Sequence, residues 1–227
     1  MNKCHWNKKP RTISIVVDNP SWILPYAEKL AEVINSQNDN AIICSNHKQV
    51  KDGCIAYYIG CTNIVSSEIL SRNKFNLVVH ESELPKGKGF APVAWQILEG
   101  KSEIPICLFE AVDEVDAGNI YYLDKMLFDG HELNSEIRDK QGNKTIELCL
   151  RFLNEPIPPA SFAQNGESTF YKSRKPEDSM LDPEKSIGEQ FNLLRIVDNK
   201  EYPAFFEKNG YRYKVMIEKV DALENKD

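Results

Sequence analysis

A histidine closes one apolar run of this chain, and an aspartate follows another. His80 ends residues 76–80 (NLVVH), and Asp116 lies in residues 110–118 (EAVDEVDAG), directly after the apolar stretch 104–110. An imidazole and a carboxylate brought together can polarise a carbonyl, move a proton to or from an amine, and steady the charges that develop. By residue type alone, Glu110, Asp113, Glu114 and Asp116 are equal candidates, and such acidic clusters are most often solvated loops. Clustered carboxylates also raise one another's pKa, which suits a group that exchanges protons near neutrality. A lone histidine is as readily a structural residue bonded to a carbonyl. The segment between the two runs shifts that balance. Leu84-Pro85 stops a strand, Gly87 and Gly89 allow close backbone approach, and Pro92 suits a first helical turn.

The elements that must position these groups are readable from periodicity. Strands are expected at residues 12–18, 40–45, 54–60, 75–80, 104–110 and 119–128, where short β-branched or apolar runs end in turn residues. Helices are expected at 22–36 with Ser21 as N-cap, at 64–70, and at 91–99 with Gly100 ending the last. Residues 132–153 carry helical periodicity, with an interruption expected at Gln141-Gly142-Asn143. Trp95, inside VAWQIL, is expected to pack in the core. Strands alternating with helices imply an α/β fold built on an open, mostly parallel twisted sheet, with ligands in the crevice outside the strand ends. Pro156, Pro158 and Pro159 mark a boundary between residues 1–155 and a C-terminal extension, 156–227, packed on the same domain. That extension holds a polar stretch, a short helix at 187–194 and a β-hairpin (202–206 and 211–217) turned by Asn209-Gly210. Its aromatic residues suit a core or a homodimer surface.

Composition narrows the function classes. The chain has 227 residues, 41% hydrophobic, with a formal net charge of −6 and no basic run. A polyanion such as a nucleic acid is therefore not expected as a partner. Six cysteines show no CxxC spacing, so no metal site is expected, and Cys44, Cys61 and Cys107 read as small buried hydrophobes. The N-terminus has no apolar signal-like region, and no stretch of 18 apolar residues occurs. A cytoplasmic protein without membrane contact is the expectation.

The run His80-x-Ser82-x-Leu84-Pro85-x-Gly87-x-Gly89-x-x-Pro92, with Asp116-x-Gly118 downstream, resembles the formyltransferase family over about residues 50–195. That family moves a formyl group from 10-formyltetrahydrofolate to an amine. The resemblance implies a Rossmann-like formyltransferase fold, with His80 as oxyanion donor or proton shuttle. It also selects Asp116 from the acidic cluster as the carboxylate that tunes the histidine and handles the proton. One position departs from the family pattern. Val78 stands where the family carries an asparagine, which makes Ser82 the candidate replacement donor, and Asn76 lies one strand repeat further back. The resemblance maps the folate pocket onto Thr62, Asn63, Ala111, Val112, Asp113 and Val115, read mainly through main-chain groups. Among its branches, the absence of a glycine-rich cradle after the first strand, the modest length and the low basicity favour sugar N-formyltransferases. Residues 169–186 look like the tail of that branch. The implied acceptor is the amine of a nucleotide-linked amino-dideoxy sugar for bacterial surface-glycan biosynthesis, met by Lys86, Lys88, Gly89, Arg174 and Trp22. A catalytically impaired folate- or nucleotide-binding homologue and a formyltetrahydrofolate hydrolase are the alternatives.

Overall fold

The computed structural model describes residues 4–220. Six strands form the central sheet in the order β2-β1-β3-β4-β6-β7. They are β1 (Thr12–Val16), β2 (Asn40–Cys44), β3 (Gly53–Tyr58), β4 (Asn73–His80), β6 (Glu103–Glu110) and β7 (Ile120–Leu127). The first four are mutually parallel, whereas β6 enters antiparallel to β4 and β7 antiparallel to β6. His80 therefore pairs with Cys107, and Glu110 at the end of β6 lies back beside Leu77. The loop after β6 must turn back to bring Asp116 toward the His80 end of the sheet.

Period-two alternation divides the sheet's side chains between two faces. Ile13, Ile15, Ile55, Tyr57 and Leu77 join the large core, which also takes residues of α1 (Leu24–Ser36) and α4 (Asn134–Asn154). Val16, Ala56 and Tyr58 form a smaller core with Val50 and with Ile69 of α2 (Ser67–Leu70). Tyr57 anchors the large core by donating its hydroxyl hydrogen to the Cys149 carbonyl at 2.8 Å. Trp6, Phe75 and Phe152 meet edge to face within it.

Four expectations are corrected here. Helix α4 runs unbroken through Gln141-Gly142-Asn143. Gly142 serves packing, because a Cβ there would lie 2.4 Å from the Tyr26 ring of α1. Close approach of the two helices outweighs glycine's penalty of about 1 kcal/mol in a helix. Helix α1 starts at Leu24 with Pro25 in its first turn, and the Ser21 hydroxyl reaches the Ile23 amide at only 3.5 Å, so Ser21 is not the cap. The helix expected at 64–70 shrinks to α2, because Asp18 accepts from the Thr62 and Asn63 amides and holds their loop out of helix. Trp95 is only half-buried: it donates to the Lys172 carbonyl at 2.8 Å and stacks near Tyr171, clamping the tail.

The chain after Pro159 returns across the sheet and the loop. Strand β8 (Phe170–Tyr171) pairs parallel with β5 (Lys88–Gly89) in the glycine loop. Helix α5 (Phe191–Ile196) packs near α3 (Pro92–Leu98) and α4, and its buried Arg195 donates to the Glu132 carboxylate at 2.8 Å. The hairpin of β9 (Ala204–Lys208) and β10 (Tyr211–Val215) turns at Asn209 and Gly210, both at positive φ. The cysteines are not all thiols, since a disulfide joins Cys4 to Cys54. Among the described residues, no helix is long and apolar enough to cross a membrane.

Candidate active site

A cavity of about 790 Å³ opens where β3 and β4 end. Its walls come from the loop after β3, the end of β4, the glycine loop, residues 111–116 and the inner face of α4. His80 and Asp116 both line it. His80 is buried at the last position of β4, with Nε2 2.8 Å from the Gly87 carbonyl. A carbonyl only accepts, so Nε2 carries the hydrogen and Nδ1 of the neutral ring holds the lone pair. Asp116 does not bond the imidazole. Its Oδ2 accepts from the Gly89 amide at 3.0 Å, so each group grips one end of the same three-residue stretch.

Two glycines make this geometry possible. Gly89 sits at φ +97° with the Tyr171 carbonyl 2.4 Å from where a Cβ would lie. At Gly118 a Cβ would fall 1.7 Å from the Glu110 carbonyl, so a side chain would push the Asp116 loop off the end of β6. The Asp116 backbone itself lies in the left-handed region at φ 51°, which aspartate tolerates better than most residues. Gln164 secures the loop from the tail by donating to the Asp116 and Gly118 carbonyls at 2.9 Å.

The structure separates the residues singled out in the sequence. Thr62, Asn63, Ala111, Val112, Val115, Gly89, Arg174 and Trp22 line the cavity with His80 and Asp116. Asp113 does not, and instead accepts from the Ser67 hydroxyl at 2.9 Å. Lys86 is exposed, and Lys88 is buried beside the Phe170 ring; neither lines the cavity. Ser82 is also outside it, its hydroxyl buried without a hydrogen-bond partner, because β4 ends at His80 and the chain bends away before reaching Ser82. Val78 presents an apolar side chain to the cavity. Asn76 is occupied elsewhere, donating to the Leu70 carbonyl at 2.9 Å. Arg174 gives Nη2 to the Asp178 carbonyl and the Ser179 hydroxyl, while its buried Nε has no partner.

Three cavity residues were missed. Glu81 follows His80, and Gln141 of α4 donates to its Oε1 at 2.7 Å. Arg138, one helical turn before Gln141, pairs with Asp198 at 2.7 Å and lies over the Trp22 ring. Helical spacing of 138, 141 and 145 would have placed these side chains on one face, had the helix been read as continuous. Burial pushes the Glu81 carboxyl above its ordinary range, with the nearby His80 opposing and Asp116 adding to the shift. A second carboxyl, Glu110, lies behind the loop. Burial raises it to about 7, even though it accepts from the Asn76 amide and the Tyr121 hydroxyl.

Residues 34–151 match the family described as formyl transferase. A methionyl-tRNA formyltransferase of Malacoplasma penetrans is 29% identical over 136 residues, which cover 58% of this chain and 42% of that protein. The chain thus matches less than half the length of this curated relative. Among solved structures, methionyl-tRNA formyltransferase from Clostridium thermocellum superposes with a TM-score of 0.77 at 21% identity, covering 95% of each chain. A 4-N formyltransferase from Francisella tularensis gives 0.65 at 14%, over 95% of this chain and 100% of that one. HypX from Aquifex aeolicus in complex with tetrahydrofolic acid gives 0.72 at 12%, over 92% and 38%. The sheet and the C-terminal hairpin have the formyltransferase fold, and the chain belongs to the formyl transferase family.

Proposed function

We propose that this protein transfers a formyl group from 10-formyltetrahydrofolate to the amine of a nucleotide-linked amino-dideoxy sugar. The observation that carries the reading is one cavity faced by His80, Glu81 and Asp116 and bounded by the loop that His80 and Asp116 both grip. The folate fits this cavity. About 790 Å³ is within the range of small-ligand sites, and the walls combine apolar Val78, Phe109, Val112 and Val115 with main-chain groups of the 111–115 loop. When bound, the folate would supply an activated formyl carbonyl.

The roles follow from position. Glu81, with one oxygen held by Gln141, offers the other to an incoming ammonium and receives its proton. Nδ1 of His80, protonated, donates toward an oxygen that gains negative charge, and this falls to the imidazole because Val78 has no donor to share the task. Asp116 keeps the Gly89 amide in place, and with it the loop whose Gly87 carbonyl orients the imidazole. Arg174, with an unpartnered Nε, faces an anionic part of the acceptor such as a diphosphate, and Trp22 offers its base an aromatic surface. A cytoplasmic reaction goes with the proposed folate donor, whereas a disulfide such as Cys4–Cys54 is uncommon in that compartment.

Incubation with 10-formyltetrahydrofolate and uridine-, thymidine- or guanosine-diphosphate amino-dideoxy sugars tests this reading by mass spectrometry. One sugar is expected to gain a formyl mass. Formate alone would support a hydrolase, no product at all would support the catalytically impaired binding homologue that Val78 favours, and formylated methionyl-tRNA in a parallel reaction would move the acceptor to tRNA.

A further inference from the structure

We propose that Asp18, His47 and Cys61 form a zinc site at the carboxyl edge of the sheet, separate from the acid and imidazole of the cavity. Each residue comes from a different loop. Asp18 follows β1, His47 follows β2 and Cys61 follows β3, three adjacent parallel strands. One carboxylate oxygen, one imidazole nitrogen and one sulfur lie within 4.8 Å of one another. Carboxylate, imidazole and thiolate are all zinc ligands, and a set including sulfur disfavours magnesium and calcium.

The imidazole geometry points to an ion more than to a simple ion pair. His47 Nε2 lies 3.2 Å from Asp18 Oδ2, yet this buried atom has no hydrogen-bond partner. Two ligands bonded at 2.0–2.1 Å in a tetrahedron are separated by roughly 3.3–3.4 Å, close to the observed spacing. The surroundings are already ordered. The carboxylate is fixed by the Asn19 amide group, the Thr62 and Asn63 backbone amides and the Asn63 side chain, all at 2.8–2.9 Å. The His47 ring stands edge to face with Tyr58 at 5.7 Å. Partners that orient ligands in this way are the ordinary support of a metal site. The Cys61 thiol rests 3.3 Å from the Val16 carbonyl; on coordination its sulfur would leave that oxygen and its proton would pass to solvent. Because Cys61, Thr62 and Asn63 also line the cavity, a fourth position can be filled by water or by a bound molecule. The ion would tie together three loops, one of which forms a cavity wall.

Cobalt(II) tests the site in the full chain after chelator dialysis, since thiolate coordination produces a sulfur-to-cobalt charge-transfer band. One equivalent is expected to produce the band, and zinc is expected to bleach it and raise the melting temperature. Cys61→Ser should abolish the band, and His47→Gln should weaken zinc binding by at least about tenfold. Absence of a band, or a band that survives in Cys61→Ser, would overturn the assignment. The second result would mean that cobalt binds another cysteine. Should Cys61→Ser fail to fold, His47→Gln decides: the His47 side chain keeps 13% exposure and lies outside the two main core clusters, and unchanged zinc affinity would refute the site.

Discussion

His80 commits Nε2 to the Gly87 carbonyl, which leaves Nδ1 as its reactive atom. His80→Asn is therefore expected to slow formyl transfer by about 10²–10⁴-fold while the melting temperature stays within a few degrees. Single-turnover rates and thermal melts measure the two effects separately. Glu81 makes a different prediction. Its carboxyl is raised by burial, so the acid limb of the rate profile should lie above the usual carboxylate range. Glu81→Gln should lose that limb as well as rate; an unchanged profile would remove Glu81 from proton handling. Glu110 carries a stability signature. Its folded pKa of about 7 exceeds the ordinary 4.5, so the native state holds a proton that the unfolded chain releases. Stability linked to this group is fully present below pH 4.5 and declines as pH rises to about 7. Urea unfolding across that range should show a fall in wild type that Glu110→Gln flattens.

At the scale of elements, the contact between α1 and α4 rests on the missing side chain of Gly142. Gly142→Ala gains helix propensity but drives a methyl group into the Tyr26 ring, and a net loss of about 1–3 kcal/mol in urea unfolding is expected. Tyr26→Ala in the same chain should recover part of the loss. This glycine also shows what the sequence left hidden. Read locally, Gln141-Gly142-Asn143 is a break, and only the facing ring shows it to be a packing site. Strands, the Gly100 helix end and the Asn209-Gly210 turn were legible because their signals are local. The antiparallel entry of β6 was not, since an apolar run carries no direction. The supposed break at Gly142 hid Gln141 and Arg138 from the site, and Ser82, Lys86 and Lys88 entered it because a motif does not show which way a loop side chain turns. The Asp18–His47–Cys61 cluster was equally invisible, because its members come from three loops and no short spacing connects them.

Across the whole molecule, the tail and the sheet hold the cavity jointly. Gln164 bonds the Asp116 loop, β8 pairs with the glycine loop, and Arg195 meets Glu132 in a buried ion pair with exposures of 4% and 3%. Without Arg195 the Glu132 carboxylate still accepts from Lys140 at 2.7 Å, so Arg195→Ala should cost about 1.5–3 kcal/mol in a single cooperative transition. A separate early transition would instead make the tail an independent unit. His80 and Asp116 both line that cavity, and α4 and the tail supply further parts of its wall.

The most direct measurement supplies 10-formyltetrahydrofolate labelled with ¹³C in the formyl group, together with the diphosphate amino-sugar panel, and follows the label by NMR. Wild-type protein should move it onto a sugar amine as a formamide, while His80→Asn and Asp116→Asn, both folded, leave it on the folate. Label transfer at the wild-type rate in either variant would contradict the account.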